Sequence, residues 1–183
     1  KVGIKMDIYK RLDRKLVHKG KIIDLYEDTV AIPNGNVAKW DFIGHKGAAA
    51  VVPVTERGTI LMVRQYRNAI DRYTLEIPAG GRDSLEEKTY DCAARELEEE
   101  TGFRSDHLEL LIQLKTAVAY CNEFIDVYVA KDLVPSHQHL DEDEFINVCE
   151  YTVDALCEKI FSGEIQDAKT IAAIMAYKVK YQA

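Results

Sequence analysis

A chain of 183 residues, 47% hydrophobic and 30% charged, buries one sizeable core with room for a small appended subdomain. Its net charge of −7 excludes a protein that coats nucleic acid or an anionic membrane, because both partners require a basic face. No apolar stretch approaches the ~20 residues of a membrane-spanning helix, and no signal-type apolar core follows the basic first residues, so the sequence reads as soluble and cytoplasmic.

The first 45 residues (1–45) read as a separate β unit. Residues 21–27 and 37–43 are short and strand-like, with the turn Pro33-Asn34-Gly35-Asn36 between them. A unit with so little core of its own packs on the main body or on a second subunit. Lys1 to Lys5, which precede Met6, carry no assigned function. The larger domain runs from 46 to 183. Residues 47–54 and 59–66 are β-rich runs around Glu56-Arg57-Gly58, the pattern of a hairpin of core strands. After a turn at 78–81, residues 85–101 predict a helix with Tyr90, Ala93, Ala94 and Leu97 on its apolar face and Gly102 as its stop. Strands at 108–114, 124–130 and 145–151 follow. Val153, Leu156, Cys157, Ile160 and Phe161 mark a short amphipathic helix closed by Gly163, and Asp167 caps a last helix to about Tyr181. The mixture predicts an α/β (α+β) fold with helices packed on a sheet. Cys92, Cys121, Cys149 and Cys157 form no C-x-x-C pair and read as reduced, mostly buried thiols.

Helical geometry sets Glu96, Glu99 and Glu100 on one ridge beside the apolar stripe and turns Glu98 away from it. Like charges at this spacing weaken a helix by about 0.2–0.5 kcal/mol per pair, so the ridge needs compensation. Arg95 offers some through Glu99 one turn on, and a hard divalent cation offers more. Magnesium suits such a site, since it takes carboxylate oxygens, keeps several waters and bridges to substrate phosphates. A solvated acidic face is the alternative reading of the ridge taken alone.

The whole segment runs Gly81, five residues, Glu87, seven residues, then Arg95-Glu96-Leu97-Glu98-Glu99-Glu100-Thr101-Gly102-Phe103. It resembles the signature of the Nudix hydrolases, G-x5-E-x7-R-E-U-x-E-E-x-G-U, at every specified position. The resemblance implies a Nudix fold, a mixed β-sheet sandwiched between helices. It also implies hydrolysis of a pyrophosphate link, with Glu96 and Glu100 binding Mg2+ or Mn2+ and Glu99 assisting or ligating. Glu87 and Arg95 then orient their neighbours, and a backbone carbonyl at Ala79 or Gly80 completes the ligands.

Other segments resemble the ADP-ribose pyrophosphatase branch of that family: Arg64-Gln65-Tyr66-Arg67, Leu75-Glu76-Ile77-Pro78-Ala79-Gly80, Trp40 with the 33–36 turn, and Gly163-Glu164-Ile165 followed by Asp167-Ala168-Lys169-Thr170. The resemblance implies substrate contacts from Arg67 and Glu76, with Arg64 and Trp40 as further candidates, and a homodimer that exchanges its N-terminal strands. Ordinary strand-edge charge is the alternative for Arg64 and Arg67. The acidic stretch 140–145 aligns Glu142 with the family's general base and Glu144 with a further metal ligand; a solvated loop is its alternative. One departure stands out, since Val118-Ala119-Tyr120-Cys121-Asn122-Glu123 lacks the proline usual in that branch. It leaves a nucleotide sugar, or another nucleoside diphosphate derivative, as a rival substrate to ADP-ribose, and a non-catalytic nucleotide sensor as a rival of another class. His137 and His139 read as an exposed loop rather than a metal pair.

Overall fold

A dense run of charge hides a strand near the beginning of the chain. In the computed structural model, which describes residues 8–140 and 145–182, β1 (Lys10–Lys19) runs antiparallel to β2 (Asp24–Ala31), which pairs in turn with β3 (Val37–Gly44). β1 leaves no strand signature in the sequence, because its ten residues are nearly all exposed and carry no apolar alternation. What holds it is partly ionic: Arg14 donates to both carboxylate oxygens of Asp28 at 2.6 Å and lies 3.5 Å from the Phe42 ring centroid. These strands and Ala117–Glu123 form one of two compact units. The Tyr120 carbonyl accepts from the Ile43 amide at 2.7 Å. The amides of Tyr120 and Cys121 both donate to the Ala117 carbonyl, at 3.1 and 2.9 Å, so neither position accommodates a proline.

The second unit holds the remaining elements: β4 (Ala48–Pro53), β5 (Ile60–Arg67), β6 (Arg72–Glu76), β7 (Ala79–Gly81), α1 (Thr89–Thr101), β8 (Phe103–Arg104), β9 (His107–Lys115), β10 (Phe124–Lys131), β11 (Val134–Pro135), β12 (Asn147–Tyr151), α2 (Val153–Phe161) and α3 (Ala168–Tyr181). Its principal sheet has the order β7-β4-β10-β9 and is mixed, with β4 parallel to β10 and the other pairs antiparallel. A second, antiparallel sheet has the order β12-β5-β6, and β8 pairs with β11. All six residues of β4 are buried, the continuous apolar run of a strand covered on both faces. Ala48, Ala50 and Val52 face a core completed by Ile60, Met62, Ile77, Leu156 and Ile174, whereas Ala49 and Val51 face Cys92, Ala93 and Leu97 of α1. The sheet therefore lies between α1 and the pair α2 and α3. Its small side chains on the α1 side let the helix approach closely.

Three local expectations change. Runs 47–54 and 59–66 do not pair as a hairpin; they share one bridge, Val54 to Ile60, because β7 and β10 occupy both edges of β4. The helix starts at Thr89 rather than residue 85, because the preceding loop is tied down elsewhere. Arg82 donates to the Glu87 carbonyl at 2.6 Å and the Lys46 carbonyl at 3.0 Å, while Glu87 accepts from the Asp83 amide at 2.7 Å. Finally, Cys92 takes the core position expected of Tyr90, which is exposed and meets Tyr128 edge-on. The helix ends at Gly102, whose φ of 72° supplies the left-handed cap.

Leu97 is fully buried where α1 meets the principal sheet. Leu97→Ala is expected to lower stability by about 2–5 kcal/mol through the cavity it opens. Chemical denaturation of both proteins measures this, with an unchanged m-value expected.

Candidate active site

Packing α1 by Ala93 and Leu97 carries the neighbouring ridge inward, so Glu96 and Glu100 are buried although both are acidic. Buried carboxylates need partners. Arg95 is the hub: it donates to Glu96 at 2.6 Å, Glu99 at 2.9 Å, Glu87 at 3.2 Å and the Gly81 carbonyl at 3.0 Å. Burial opposes the Arg95 charge, but Glu96, Glu87 and Glu99 overcome it and raise its pKa well above the ordinary guanidinium value. Glu87 is held below its usual range, since the Asp83 amide and Arg95 outweigh its own burial.

The β7 backbone closes the other side of the ridge. The Ala79 amide donates to Glu100 Oε2 at 2.9 Å, and Gly80 lies so near Glu96 that any Cβ there would overlap its carboxylate. Burial and the Glu96 charge push the Cys92 thiol up to about 12, which keeps it protonated. Past the helix end, the segment 136–139 covers open carbonyls: Ser136 N donates to Gly102 O at 2.7 Å, Gln138 Nε2 to Glu100 O at 2.6 Å and His139 N to Glu99 O at 3.0 Å. Glu98 turns away from Glu96 to accept from Ser136 Oγ. His137 and His139 are exposed, with stacked rings 6.4 Å apart.

A second charged centre is built on β5 and β6. Arg67 donates to Glu76 through Nε at 2.8 Å and Nη2 at 2.7 Å, Thr74 Oγ1 donates at 2.7 Å, and Lys169 Nζ completes the set. Burial raises the pKa of Glu76, but Arg67, Lys169 and Thr74 together bring it down to about 2. The Glu76 hydrogen bonds raise the pKa of Arg67 against its burial, and the charges of Glu76, Glu100 and Asp167 add to the effect. Arg67 thus feels both charged centres. A cleft of about 490 Å³ opens beside it, lined among others by Tyr73, Glu76, Gln166 and Lys169.

Glu96, Glu99, Glu100 and Ala79 come together around α1 and β7. Arg67 and Glu76 meet on adjacent strands, and Arg64 stacks at 4.4 Å on the Tyr73 ring on the other face of β5. Trp40 lies in the first unit, exposed, with its ring 5.9 Å from that of Tyr9. Glu142 and Glu144 lie outside the described residues. Lys169 is not among the residues that the sequence marks as a site; its signal is the Asp167-Ala168-Lys169-Thr170 stretch, which carries the resemblance to the ADP-ribose pyrophosphatase branch and the cap at Asp167.

Among the described residues, no three Asp, Glu, His or Cys side chains are placed to hold a metal ion together. The donors are carboxylate oxygens, with two carboxylates held in the interior by Arg95 and the Ala79 amide. That chemistry fits a hard divalent cation that retains several waters and takes few protein ligands. Glu96 and Glu100, with Glu99 at the ridge edge, would hold it.

A profile of the NUDIX domain matches residues 44–174. An ADP-ribose pyrophosphatase of Bacillus subtilis (strain 168) is 39% identical over 173 residues, covering 93% of each chain. A methanol dehydrogenase activator of Bacillus methanolicus is 37% identical over 167 residues, covering 90% of each. A crystal structure of an ADP compounds hydrolase shares the fold, with a TM-score of 0.83, 21% identity, and coverage of 96% of this chain and 97% of that one.

Because Glu76 titrates near pH 2 in the fold against an ordinary 4.5, its charge stabilises the protein above about pH 4.5, and that contribution fades as pH falls toward 2. Unfolding free energies of the protein and Glu76→Gln should differ by on the order of 3 kcal/mol at pH 7, and the gap should narrow between pH 5 and 3. A gap independent of pH would contradict the sign of this shift.

Proposed function

The chain belongs to the NUDIX domain family, and from that premise we propose that it hydrolyses ADP-ribose to AMP and ribose 5-phosphate with Mg2+. The observation that carries this reading is the pair of buried carboxylates, Glu96 and Glu100, fixed between Arg95 and the β7 backbone. The name of the Bacillus subtilis relative supports the substrate. Nudix hydrolases generally use a divalent metal; here Mg2+ is proposed, with Mn2+ as a substitute. When bound, the cation neutralises the pyrophosphate and lowers the pKa of a coordinated water.

The chain's own residues supply the rest. Arg67, with its guanidinium part-exposed, binds a phosphate of the substrate. Arg95 keeps the carboxylates of Glu87, Glu96 and Glu99 oriented. Glu142 is proposed as the base that takes the proton of the attacking water, and Glu144 and the Ala79 carbonyl as additional ligands. Arg64 and Trp40 are further proposed substrate residues, and Glu76 acts through the Arg67 that it supports.

Residues 1–45 are proposed to form a dimerisation subdomain and 46–183 the catalytic domain. Ile8, Leu12, Val17 and Trp40 are large apolar side chains left exposed in the first unit, which supports a homodimer in which a second copy covers them. Light scattering should return twice the chain mass; a monomer at micromolar concentration would remove the dimer. No described helix is long and apolar enough to cross a membrane. The four free thiols support a cytoplasmic enzyme, and the negative charge supports one that acts on a small molecule rather than nucleic acid or membrane.

Release of AMP from ADP-ribose, measured beside a panel of nucleotide sugars and with and without Mg2+, tests the proposal. Glu100→Gln keeps an acceptor for the Ala79 amide but loses the charge, so turnover should fall ~100-fold or more with the fold intact. Near-normal turnover would sink the metal assignment, and preference for a nucleotide sugar would replace ADP-ribose. No turnover of any panel member would leave a nucleotide-binding sensor.

A further inference from the structure

Glu76 and its two cationic partners have unequal access to solvent. Glu76 itself is 2% exposed, the Lys169 side chain 11%, and the Arg67 side chain 41%. A carboxylate accepts about four hydrogen bonds. Glu76 receives four, two from Arg67, one from Thr74 and one from Lys169, so it has no lone pair left for a substrate hydroxyl. Lys169 gives two of its three donors to Glu76 and Asp167 Oδ2, the latter at 3.0 Å, and its nearly closed side chain leaves the third little access to solvent. Arg67 differs, because Glu76 engages two of its five N–H groups and three remain.

The anchor of this network is the start of α3. Asp167 caps the helix, accepting from the Thr170 amide at 3.0 Å and its hydroxyl at 2.6 Å, and Thr170 Oγ1 accepts from the Ile77 amide at 3.1 Å. The first turn of α3 is thereby fastened to the link between β6 and β7. Lys169, on that turn, reaches the far oxygen of Glu76. Two positive and two negative charges then balance, and Glu76 stays charged and fixed without relying on Arg67 alone.

We infer that Lys169 is a positioning residue that, through Glu76, fixes the direction in which Arg67 presents its remaining donors to a substrate phosphate. Glu76 belongs to the same device, as the support of Arg67 and not as a contact to substrate. The inference rests on the proposed role of Arg67 in phosphate binding. A guanidinium paired only with Glu76 could swing toward either anion when a phosphate arrives. Held by a carboxylate that is itself held, it pays little orientational entropy on binding.

The test is a double-mutant cycle on the full chain, with steady-state hydrolysis of ADP-ribose at saturating Mg2+. Lys169→Met is expected to raise KM about tenfold with kcat within about twofold, the mark of lost uniform binding. Arg67→Ala should raise KM at least as far, and the double variant should be no worse than Arg67→Ala, because Lys169 acts only through Arg67. Should Lys169→Met fail to fold by circular dichroism, Lys169→Gln, which retains a donor but no charge, takes its place in the cycle. An unchanged KM, a fall in kcat alone, or penalties that multiply in the double variant would each overturn the inference. If the wild-type chain turns over a different panel substrate, the ADP-ribose reading fails and the same cycle on that substrate still decides the role of Lys169.

Discussion

Helix α1 can lie on the principal sheet only by burying acid. The residues that fit against Ala49 and Val51 are Cys92, Ala93 and Leu97, and at 3.6 residues per turn the same rotation takes Glu96 and Glu100 below the surface. Removing carboxylates from water is costly unless charge and hydrogen bonds replace the lost solvation. Much of the local architecture serves that need: Arg95 spans three glutamates, the Ala79 amide points at Glu100, and a residue without a side chain stands at position 80. The two-residue strand β8 and the segment 136–139 then cap the helix end that carries the ridge.

The two charged centres follow opposite logic. On α1 the carboxylates outnumber their one shared guanidinium, so the surplus is negative and suits a cation. Around Glu76 one carboxylate is shared by two cations, with Asp167 balancing the second. Arg67, the most exposed of that group, carries the remaining positive character toward the cleft. Its raised pKa includes a contribution from Glu100, so the two centres sense each other's charge. A pyrophosphate taken with a divalent cation would match both, the cation meeting the acidic surplus and an anionic oxygen meeting Arg67.

Legibility in the sequence followed how locally each feature is determined. The Gly102 stop, the Asp167 cap and the pairing of Arg95 with Glu99 depend on neighbours within a turn or so, and all were readable. The ridge could be drawn on a helical wheel, but its burial depended on β4 and β7, which no local pattern reports. Strand β1 was hidden because Arg14 is held by Asp28 and Phe42, partners 14 and 28 positions away. The start of α1 is equally hidden, since Arg82 donates to the Leu85 and Glu87 carbonyls that a longer helix would use.

Lys169 shows the limit most clearly. In sequence it is the second residue of a helix, where a lysine is ordinarily solvated and mildly unfavourable near the positive end of the helix dipole. Two carboxylates compensate here: Asp167, the cap two residues before it, and Glu76, 93 positions away. A lysine kept against the dipole and nearly closed to solvent is accounted for by what it holds. Its cost is local, and its benefit appears only when β6 is folded against α3. The stretch Asp167-Ala168-Lys169-Thr170 thus combines two tasks within one turn: Asp167 and Thr170 start the helix and fasten it to Ile77, and Lys169 sets the charge on which the orientation of Arg67 depends.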